Sequence, residues 1–209
     1  MKTLATVHSA GQRRRVALYD VSFGTAAHRY DPAFVIVNGP PGSGKTTLAR
    51  AVAAHLELPL IAKDAIKEAL MTVLPVEDVD SSRRLGRAAI AAMLSVASTS
   101  PRGAILDANF DRRFARKELE QLPGQVIEVF CTCPRELCLA RYRERQHCRA
   151  SGHFDSERTD DEIWNDNVTQ PIGAGWPLFE VETSETVDVE QLVGFLEAQR
   201  LKRRDDSAR

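Results

Sequence analysis

The sequence lacks the features that mark several classes of protein. No apolar run approaches the roughly 20 residues that a membrane-spanning helix needs, and no long apolar segment follows a basic start at the N-terminus, so we expect neither a membrane protein nor a secreted one. The formal net charge is only −1, so no overall field attracts the chain to nucleic acid or to an anionic membrane. The simplest expectation is a cytoplasmic protein.

The four cysteines lack the paired C-x-x-C spacing of structural zinc sites. We therefore expect free thiols that pack as small apolar side chains. They lie in one stretch of the chain, at Cys131, Cys133, Cys138 and Cys148.

Short apolar runs alternate with amphipathic segments over most of the chain. Continuous apolar runs suit strands that are buried on both faces, and their alternation with helices is typical of a parallel sheet. We therefore predict an α/β fold in which helices cover both faces of a five-stranded parallel sheet. The predicted strands are residues 34–37, 60–62, 104–106, 126–131 and 178–181. The predicted helices are residues 48–58, 65–74, 81–97, 112–122, 134–145 and 189–201.

A glycine-rich segment lies between the first of these strands and its helix. The sequence GPPGSGKT matches the P-loop motif G-x-x-x-x-G-K-[ST], and its position is the one that this motif requires. The glycines let the backbone turn its N–H groups towards phosphate oxygens, and the helix N-terminus adds partial positive charge. We expect Lys45 to contact the β- and γ-phosphates and the Thr46 hydroxyl to bind Mg²⁺. The motif therefore predicts a P-loop NTPase fold and an ATP site formed by Gly39, Pro40, Pro41, Gly42, Ser43, Gly44, Lys45, Thr46 and Thr47.

Polar residues follow the second and third strands, at the sheet edge where ligands of parallel sheets bind. Asp64 is either the N-cap of the next helix or a group that accepts the proton of an attacking hydroxyl. Asp107 ends the third strand and is suited to the hydration shell of Mg²⁺, as a Walker-B acid. Lys67 is either a solvated lysine or a substrate contact, and Asn109 and Arg112 are further candidates for binding substrate.

Arginines are frequent in the helix after the fourth strand. Arg141 and Arg145 are four residues apart and share a helix face, so both can reach the cleft and stabilise charge on a transferring phosphoryl group. The alternative is a solvated basic helix. The polar segment that follows predicts a small mobile lid over residues 141–159, in which we expect His153 to be a surface histidine.

Taken together, these motifs resemble those of the small P-loop kinases of the zeta-toxin and polynucleotide-kinase-like group, the AAA-type ATP-binding kinases. The resemblance extends over residues 34–196. The motor ATPases of the wider AAA class need a sensor apparatus for which the chain has no room. The matching segments are GPPGSGKTT (39–47), KDAIKE (63–68), ILDANF (105–110) and CPRELCLARYRER (133–145).

The resemblance implies a role for each matched position. Asp64 would be the base that activates the acceptor hydroxyl, as in polynucleotide kinases and the similar chloramphenicol phosphotransferases. Asp107 would be Walker-B-like, and Arg141 and Arg145 would be lid arginines. Specificity in such kinases lies between the second and third strands, here residues 73–101.

The expected organisation is a kinase domain at residues 33–202, preceded by an arm, edge strand or hairpin (1–32) and followed by a frayed tail (203–209). The expected reaction is phosphoryl transfer from Mg²⁺-ATP to a hydroxyl of a small molecule, such as a sugar, an antibiotic or a nucleoside-like compound. A 5′-hydroxyl polynucleotide kinase and a zeta-toxin-like amino-sugar kinase are alternatives, although nucleic acid is the less favoured partner. An alternative of another class is a regulatory ATPase switch without an acceptor.

Overall fold

The computed structural model describes residues 4–9, 12–17, 32–146 and 149–206. Its strands are β1 (Leu4–Ser9), β2 (Gln12–Ala17), β3 (Ala33–Asn38), β4 (Leu60–Ala62), β5 (Gly103–Asp107), β6 (Gln125–Thr132) and β7 (Leu178–Glu182). Its α-helices are α1 (Lys45–Leu56), α2 (Lys63–Met71), α3 (Val79–Ser98), α4 (Arg112–Leu119), α5 (Arg135–Arg145), α6 (Asp160–Ile163), α7 (Asp166–Thr169) and α8 (Val189–Asp206). Two short 3₁₀ helices lie at Ser151–His153 and Asp155–Glu157.

Five strands form a parallel sheet in the order β4-β5-β3-β6-β7. All six residues of the central strand β3 are buried, as a continuous apolar run predicts for such a strand. The carboxyl ends of neighbouring strands are in register, since Asp107 pairs with Val37 on one side and with Ala62 on the other. The segments that follow β3, β4 and β5 therefore meet at one edge.

Helices cover both faces of this sheet. Val35 and Val37 of β3 belong to the core shared with α1 and α8, whereas Phe34 and Ile36 belong to the core shared with α3 and α4. The predicted α/β fold with a five-stranded parallel sheet is confirmed. None of the described helices is long and apolar enough to cross a membrane.

A buried carboxylate ties the middle of the sheet to the loop after β5. Glu128, which is 2% exposed, accepts hydrogen bonds from Asn38 Nδ2 (3.0 Å) and from the Ile172 amide (3.1 Å). Asn38 Oδ1 in turn accepts from the Phe110 amide (3.1 Å). Burial raises the pKa of Glu128, although the bond from Asn38 acts against it. The chain of bonds fixes the backbone next to Asn109.

The N-terminal strands β1 and β2 pair with each other in an antiparallel hairpin and form a sheet of their own. The hairpin is therefore not an edge of the five-stranded sheet, which was one of the arrangements predicted. The remaining parts of the predicted arm, residues 1–3, 10–11 and 18–31, lie outside the described residues. At the other end, α8 continues to Asp206, five residues beyond the predicted end of the helix, so most of the predicted frayed tail is helical. Cys131, Cys133 and Cys138 are buried free thiols.

Candidate active site

The P-loop forms a tight turn between β3 and α1. Gly39, Gly42 and Gly44 have φ angles of 138°, 83° and 78°, which L-residues with a Cβ rarely adopt. A Cβ on Gly42 would overlap the carbonyl oxygen of Cys138 in α5. The loop therefore lies directly against the arginine-bearing helix.

We expect Gly42→Ala to lower the free energy of unfolding by at least about 2 kcal/mol, because the substitution combines backbone strain with a backbone overlap. ATP affinity should fall with it, because the loop must move away from α5. The matched control is Gly194→Ala in α8, where a Cβ meets nothing within 4 Å and a small gain in stability is expected. Urea unfolding measures the stability and calorimetry measures the affinity for ATP. Equal unfolding free energies and equal ATP affinities in the two variants would contradict the close packing of Gly42 against α5.

Lys45, Thr46 and Asp107 come together at the end of the loop. Lys45 is 6% exposed, and its Nζ donates to the Pro40 carbonyl oxygen (2.7 Å). The Thr46 hydroxyl donates to Asp107 Oδ2 (2.7 Å). Burial raises the pKa of Asp107, against the hydrogen bond from Thr46 and the charge of Lys45. A hydroxyl and a carboxylate that needs a cation suit Mg²⁺, which takes few protein oxygens beside phosphates and water. The pair therefore fits a magnesium ion.

The pKa of Lys45 predicts how ATP binding depends on pH. Burial lowers this pKa to about 8, with Asp107 acting in the opposite direction, so the ammonium charge is lost from the free protein as pH rises through that value. Bound phosphate favours the charged form, so the association constant for ATP should be flat below this value and then fall by up to about tenfold per pH unit. Calorimetric titration with ATP at pH values below and above this pKa tests the predicted dependence. Lys45→Arg, which keeps its charge, should remove the dependence, whereas a flat wild-type profile would contradict it.

Asp64 lies in the first turn of α2, yet it does not cap the helix. The N-cap is Ala62, which has no side-chain cap, and the two Asp64 oxygens accept instead from Lys63 Nζ (2.8 Å) and from Arg149 (2.6 Å). Burial raises the pKa of Asp64, but Lys63 and Arg149 outweigh it and hold the pKa well below its usual range. Asp64 is therefore an ionised carboxylate whose orientation is fixed by two cations.

Arg149 is the centre of a network that sequence reasoning did not identify. Besides Asp64, its guanidinium donates to Asp155 Oδ2 (2.7 Å) and to His153 Nδ1 (3.0 Å). That contact leaves His153 Nε2 to donate to Glu68 Oε1 (2.9 Å). The only signal in the sequence was the i, i+4 spacing of Arg149 and His153 in a polar segment.

The expectation of a surface histidine at 153 is wrong. His153 is 4% exposed, and burial lowers its pKa, together with the charges of Arg149 and Lys67. The ring is neutral at pH 7 because the shift moves it further below neutrality. The neutral ring joins Arg149 to Glu68 through its two nitrogens.

The segment of the predicted lid is bonded to the rest of the domain. The Tyr142 hydroxyl donates to Asp155 Oδ1 (2.7 Å), and Ser82 of α3 donates to the Gly152 carbonyl oxygen (2.7 Å). Residues 147–148 within this segment lie outside the described residues. The bonds close the segment over α2 and α3.

The two lid arginines reach different places. Arg145 lines a cavity next to Asp64, and its guanidinium carbon lies 5.5 Å from the centre of the Tyr142 ring. Its buried Nε has no hydrogen-bond partner in the described part of the chain. Arg141 instead donates to the Thr183 carbonyl oxygen (3.2 Å) in the loop after β7. Only Arg145 is thus aimed at the space beside Asp64.

A cavity of about 570 Å³ opens next to Asp64, and we call it the main cavity. Its volume is that of sites for small molecules. The P-loop, α2, α3, α4 and α5 all contribute to its wall, and α3 is part of the segment predicted to set specificity. The polar and charged lining includes Asp64, Lys67, Asn109, Arg145 and Arg158, and Pro41 of the P-loop lies beside them.

Of the remaining predicted substrate contacts, two line the main cavity and the third does not. Asn109 lines the main cavity, and so does Lys67, which is 2% exposed, so the alternative of a solvated lysine is excluded. Arg112 is turned away, with its guanidinium donating to Gln170 Oε1 (3.1 Å), while its neighbour Arg113 lies on the cavity wall.

The family comparison covers most of the domain that contains this site. The family model AAA_33, described as an AAA domain, matches residues 34–166, more than half of the 209 residues. A solved structure of a candidate kinase from Chloroflexus aurantiacus J-10-fl is 30% identical with a TM-score of 0.71, and the match covers 80% of this chain and 98% of that one. The chain therefore belongs to this AAA domain family.

More distant structures share the fold. The match to a gluconokinase from Sinorhizobium meliloti 1021 has 17% identity and a TM-score of 0.53, and covers 86% of this chain and 97% of the other. The match to an APS kinase from Mycobacterium tuberculosis has 21% identity and a TM-score of 0.51, and covers 80% and 98%. No match is found among curated proteins. The fold is that of small P-loop kinases, and the comparisons do not single out the zeta-toxin or polynucleotide-kinase group.

Proposed function

We propose that this protein is an ATP-dependent kinase that transfers the γ-phosphoryl group to a hydroxyl of a small molecule. The observation that carries the proposal is the junction of the P-loop with the main cavity. Pro41, Asp64 and Arg145 line the same cavity, and the charges of Asp64 and Arg145 both act on the buried Lys45. A phosphate end held by the loop therefore faces the space beside the ionised carboxylate.

Each group has a physical task in such a transfer. Lys45 and the amides of the P-loop hold the phosphates, and Asp64 accepts the hydrogen bond of the acceptor hydroxyl and takes its proton as the new bond forms. Because its pKa is held low, Asp64 orients the hydroxyl and receives the proton late, which suits a loose transition state. Arg145, with an Nε that has no partner in the described residues, stabilises charge on the moving phosphoryl group.

Thr46 and Asp107 are the residues that would hold Mg²⁺. When bound, the ion neutralises charge on the phosphates during transfer. The hydrogen bond between the two side chains (2.7 Å) keeps both oxygens on the phosphate side of the P-loop. Arg141 serves the nucleotide rather than the acceptor, because its contact with Thr183 (3.2 Å) lies on the loop after β7.

The experiment is ATP turnover against a panel of acceptors, with products identified by mass. The panel contains antibiotics, sugars, amino sugars, nucleosides and 5′-hydroxyl oligonucleotides. The proposal predicts a small molecule that gains one phosphoryl group. Phosphorylation of oligonucleotides alone would replace it with a polynucleotide kinase, and phosphorylation of an activated amino sugar alone would replace it with the zeta-toxin-like activity. Release of free phosphate with no phosphorylated acceptor would contradict a kinase and favour the ATPase switch.

A further inference from the structure

We propose that the acceptor carries an oxyanion group, a carboxylate or a phosphate, in addition to its hydroxyl, and that Lys67 and Arg158 bind this group on the wall of the main cavity. The inference rests on the proposed function, because it names the chemical class of the acceptor for the same site. It assigns the hydroxyl to Asp64 and the oxyanion to a separate subsite.

The first observation is a buried ammonium group without a counterion. Lys67 is 2% exposed, and its Nζ donates to Ser82 Oγ (2.7 Å). Among the described residues, no carboxylate lies within the 4.0 Å of an ion pair from this nitrogen. An ammonium group has three donors, so two N–H groups remain for a ligand. Ser82 donates its own proton to Gly152 (2.7 Å), and this fixes the position of Nζ.

The second observation is the charge around this lysine. Lys63, Arg158 and Arg149 are the cations that act on Lys67, and Asp64 is the carboxylate that opposes them. The cations that Asp64 pairs with are Lys63 and Arg149, and Lys67 is not one of them. Burial and, after it, the charges of the neighbouring cations together lower the pKa of Lys67 to about 8. Holding like charges together in a buried wall is costly unless an anion joins them.

Arg158 extends the same positive region. Its side chain is half-buried and lines the main cavity with Lys67, and in the described part of the chain its guanidinium has no carboxylate within ion-pair distance. A buried lysine and a guanidinium on one wall provide donors that match the oxygens of a carboxylate or a phosphate.

The rim of the cavity favours a small acceptor over a polynucleotide. A strand of nucleic acid needs a continuous cationic track for its phosphates, whereas the rim alternates in sign. Arg83 and Glu162 pair across it (3.1 Å), and Arg113 pairs with Asp111 (2.6 Å). Glu118 adds a further carboxylate to the wall. The exposed Arg87 adds one cation to the rim, but a single cation between such pairs forms no continuous track. The positive region of the buried Lys67 and the half-buried Arg158 fits one anionic group.

The test compares acceptors that differ only in the anionic group. The pairs are D-gluconate with D-sorbitol, glycerol 3-phosphate with glycerol, and adenosine 3′-monophosphate with adenosine. Binding is measured calorimetrically on protein saturated with Mg²⁺-ADP, so that the P-loop is filled. We expect at least one anionic member to bind at least about tenfold more tightly than its neutral partner, and Lys67→Met to abolish most of that difference. Tighter binding in the gluconate pair alone would identify the oxyanion as a carboxylate. Tighter binding in the two phosphate pairs alone would identify it as a phosphate.

Two further variants complete the design. Arg158→Gln should weaken binding of the anionic member by about three- to tenfold, and the control Arg50→Gln, which removes an exposed charge on α1, should have no effect. Equal binding of charged and neutral members, or binding that Lys67→Met leaves intact, would overturn the proposal. So would affinity that rises with the length of a 5′-hydroxyl oligonucleotide.

The stability of Lys67→Met separates a ligand contact from a structural role. Because methionine replaces an uncompensated buried charge with an apolar chain of similar length, the melting temperature should rise. A fall in melting temperature would show that Lys67 supports the fold and would overturn the subsite. If the proposed function fails while this inference holds, anion binding depends on Lys67 but no acceptor is phosphorylated. If only the inference fails, neutral acceptors are phosphorylated and Lys67→Met leaves their kcat/KM unchanged.

Discussion

Asp64→Asn should lower the rate of phosphoryl transfer by between about 100- and 10,000-fold, the range that loss of a general base produces. Asparagine keeps the size of the side chain and one acceptor oxygen, so it can retain one of the two hydrogen bonds that Lys63 and Arg149 now donate at 2.8 and 2.6 Å. It cannot take the proton of the acceptor hydroxyl. The affinity for ATP should change by less than about threefold, because the polar partners of Asp64 are Lys63 and Arg149 and its charge is the weakest of those that act on the pKa of Lys45.

The control for this substitution is Glu120→Gln, which removes an exposed carboxylate paired with Arg116 at the end of α4. Transfer rates and ATP affinities are measured for both variants. The pH profile gives a second check: the pKa of Asp64 is held below its usual range, so the carboxylate is ionised through neutral pH and should produce no fall in rate between about pH 8 and 5. Full activity in Asp64→Asn would contradict the role given to this residue.

Arg149→Met should lower the free energy of unfolding by about 3 kcal/mol and the rate of transfer by about 10- to 100-fold. The stability effect follows from Asp155, which is 7% exposed and would lose its ion-pair partner. The effect on the rate follows from Asp64, which would lose one of the two cations that fix it. Burial would then raise the pKa of Asp64, so the rate of the variant should begin to fall at a higher pH than that of the wild type.

Arg143→Met is the matched control, since Arg143 on α5 also pairs with an aspartate, Asp160, but both side chains are substantially exposed, at 40% and 49%. Exposed pairs of this kind contribute at most about 1 kcal/mol. Urea unfolding and steady-state kinetics on both variants give the comparison. If the two arginines proved equivalent in stability and in rate, Arg149 would not be the centre of the network.

The fold was predictable because its determinants are local. The apolar runs at β3, β5 and β6 are short and continuous, and each is followed by an amphipathic helix. Helix ends were less accurate, because hydrophobic periodicity does not fix a terminus. The capping box of α3, in which Asp78 accepts from the Ser81 amide (2.6 Å), starts that helix two residues before the prediction. α8 continues past its last apolar residues.

The candidate site was predictable only where one stretch of chain carries the signal. The P-loop and Asp107 follow from a motif and from a strand end. Arg149 could not be predicted, because its contact with Asp64 joins positions 85 residues apart. The same holds for the buried environment of Lys67, whose partner Ser82 lies on another helix. Charge in a sequence gives no information on burial, and burial is what makes these cations unusual.

The partition of the γ-phosphoryl group between an alcohol and water distinguishes a kinase from an ATPase. The reaction is run in ¹⁸O-labelled water with the acceptor identified by the panel, and both products are analysed by mass. We expect an unlabelled phosphorylated acceptor as the main product of the wild type, and its loss in Asp64→Asn. If ¹⁸O-labelled free phosphate is the sole product, at a rate that Asp64→Asn leaves unchanged, the protein is not a kinase that uses this carboxylate.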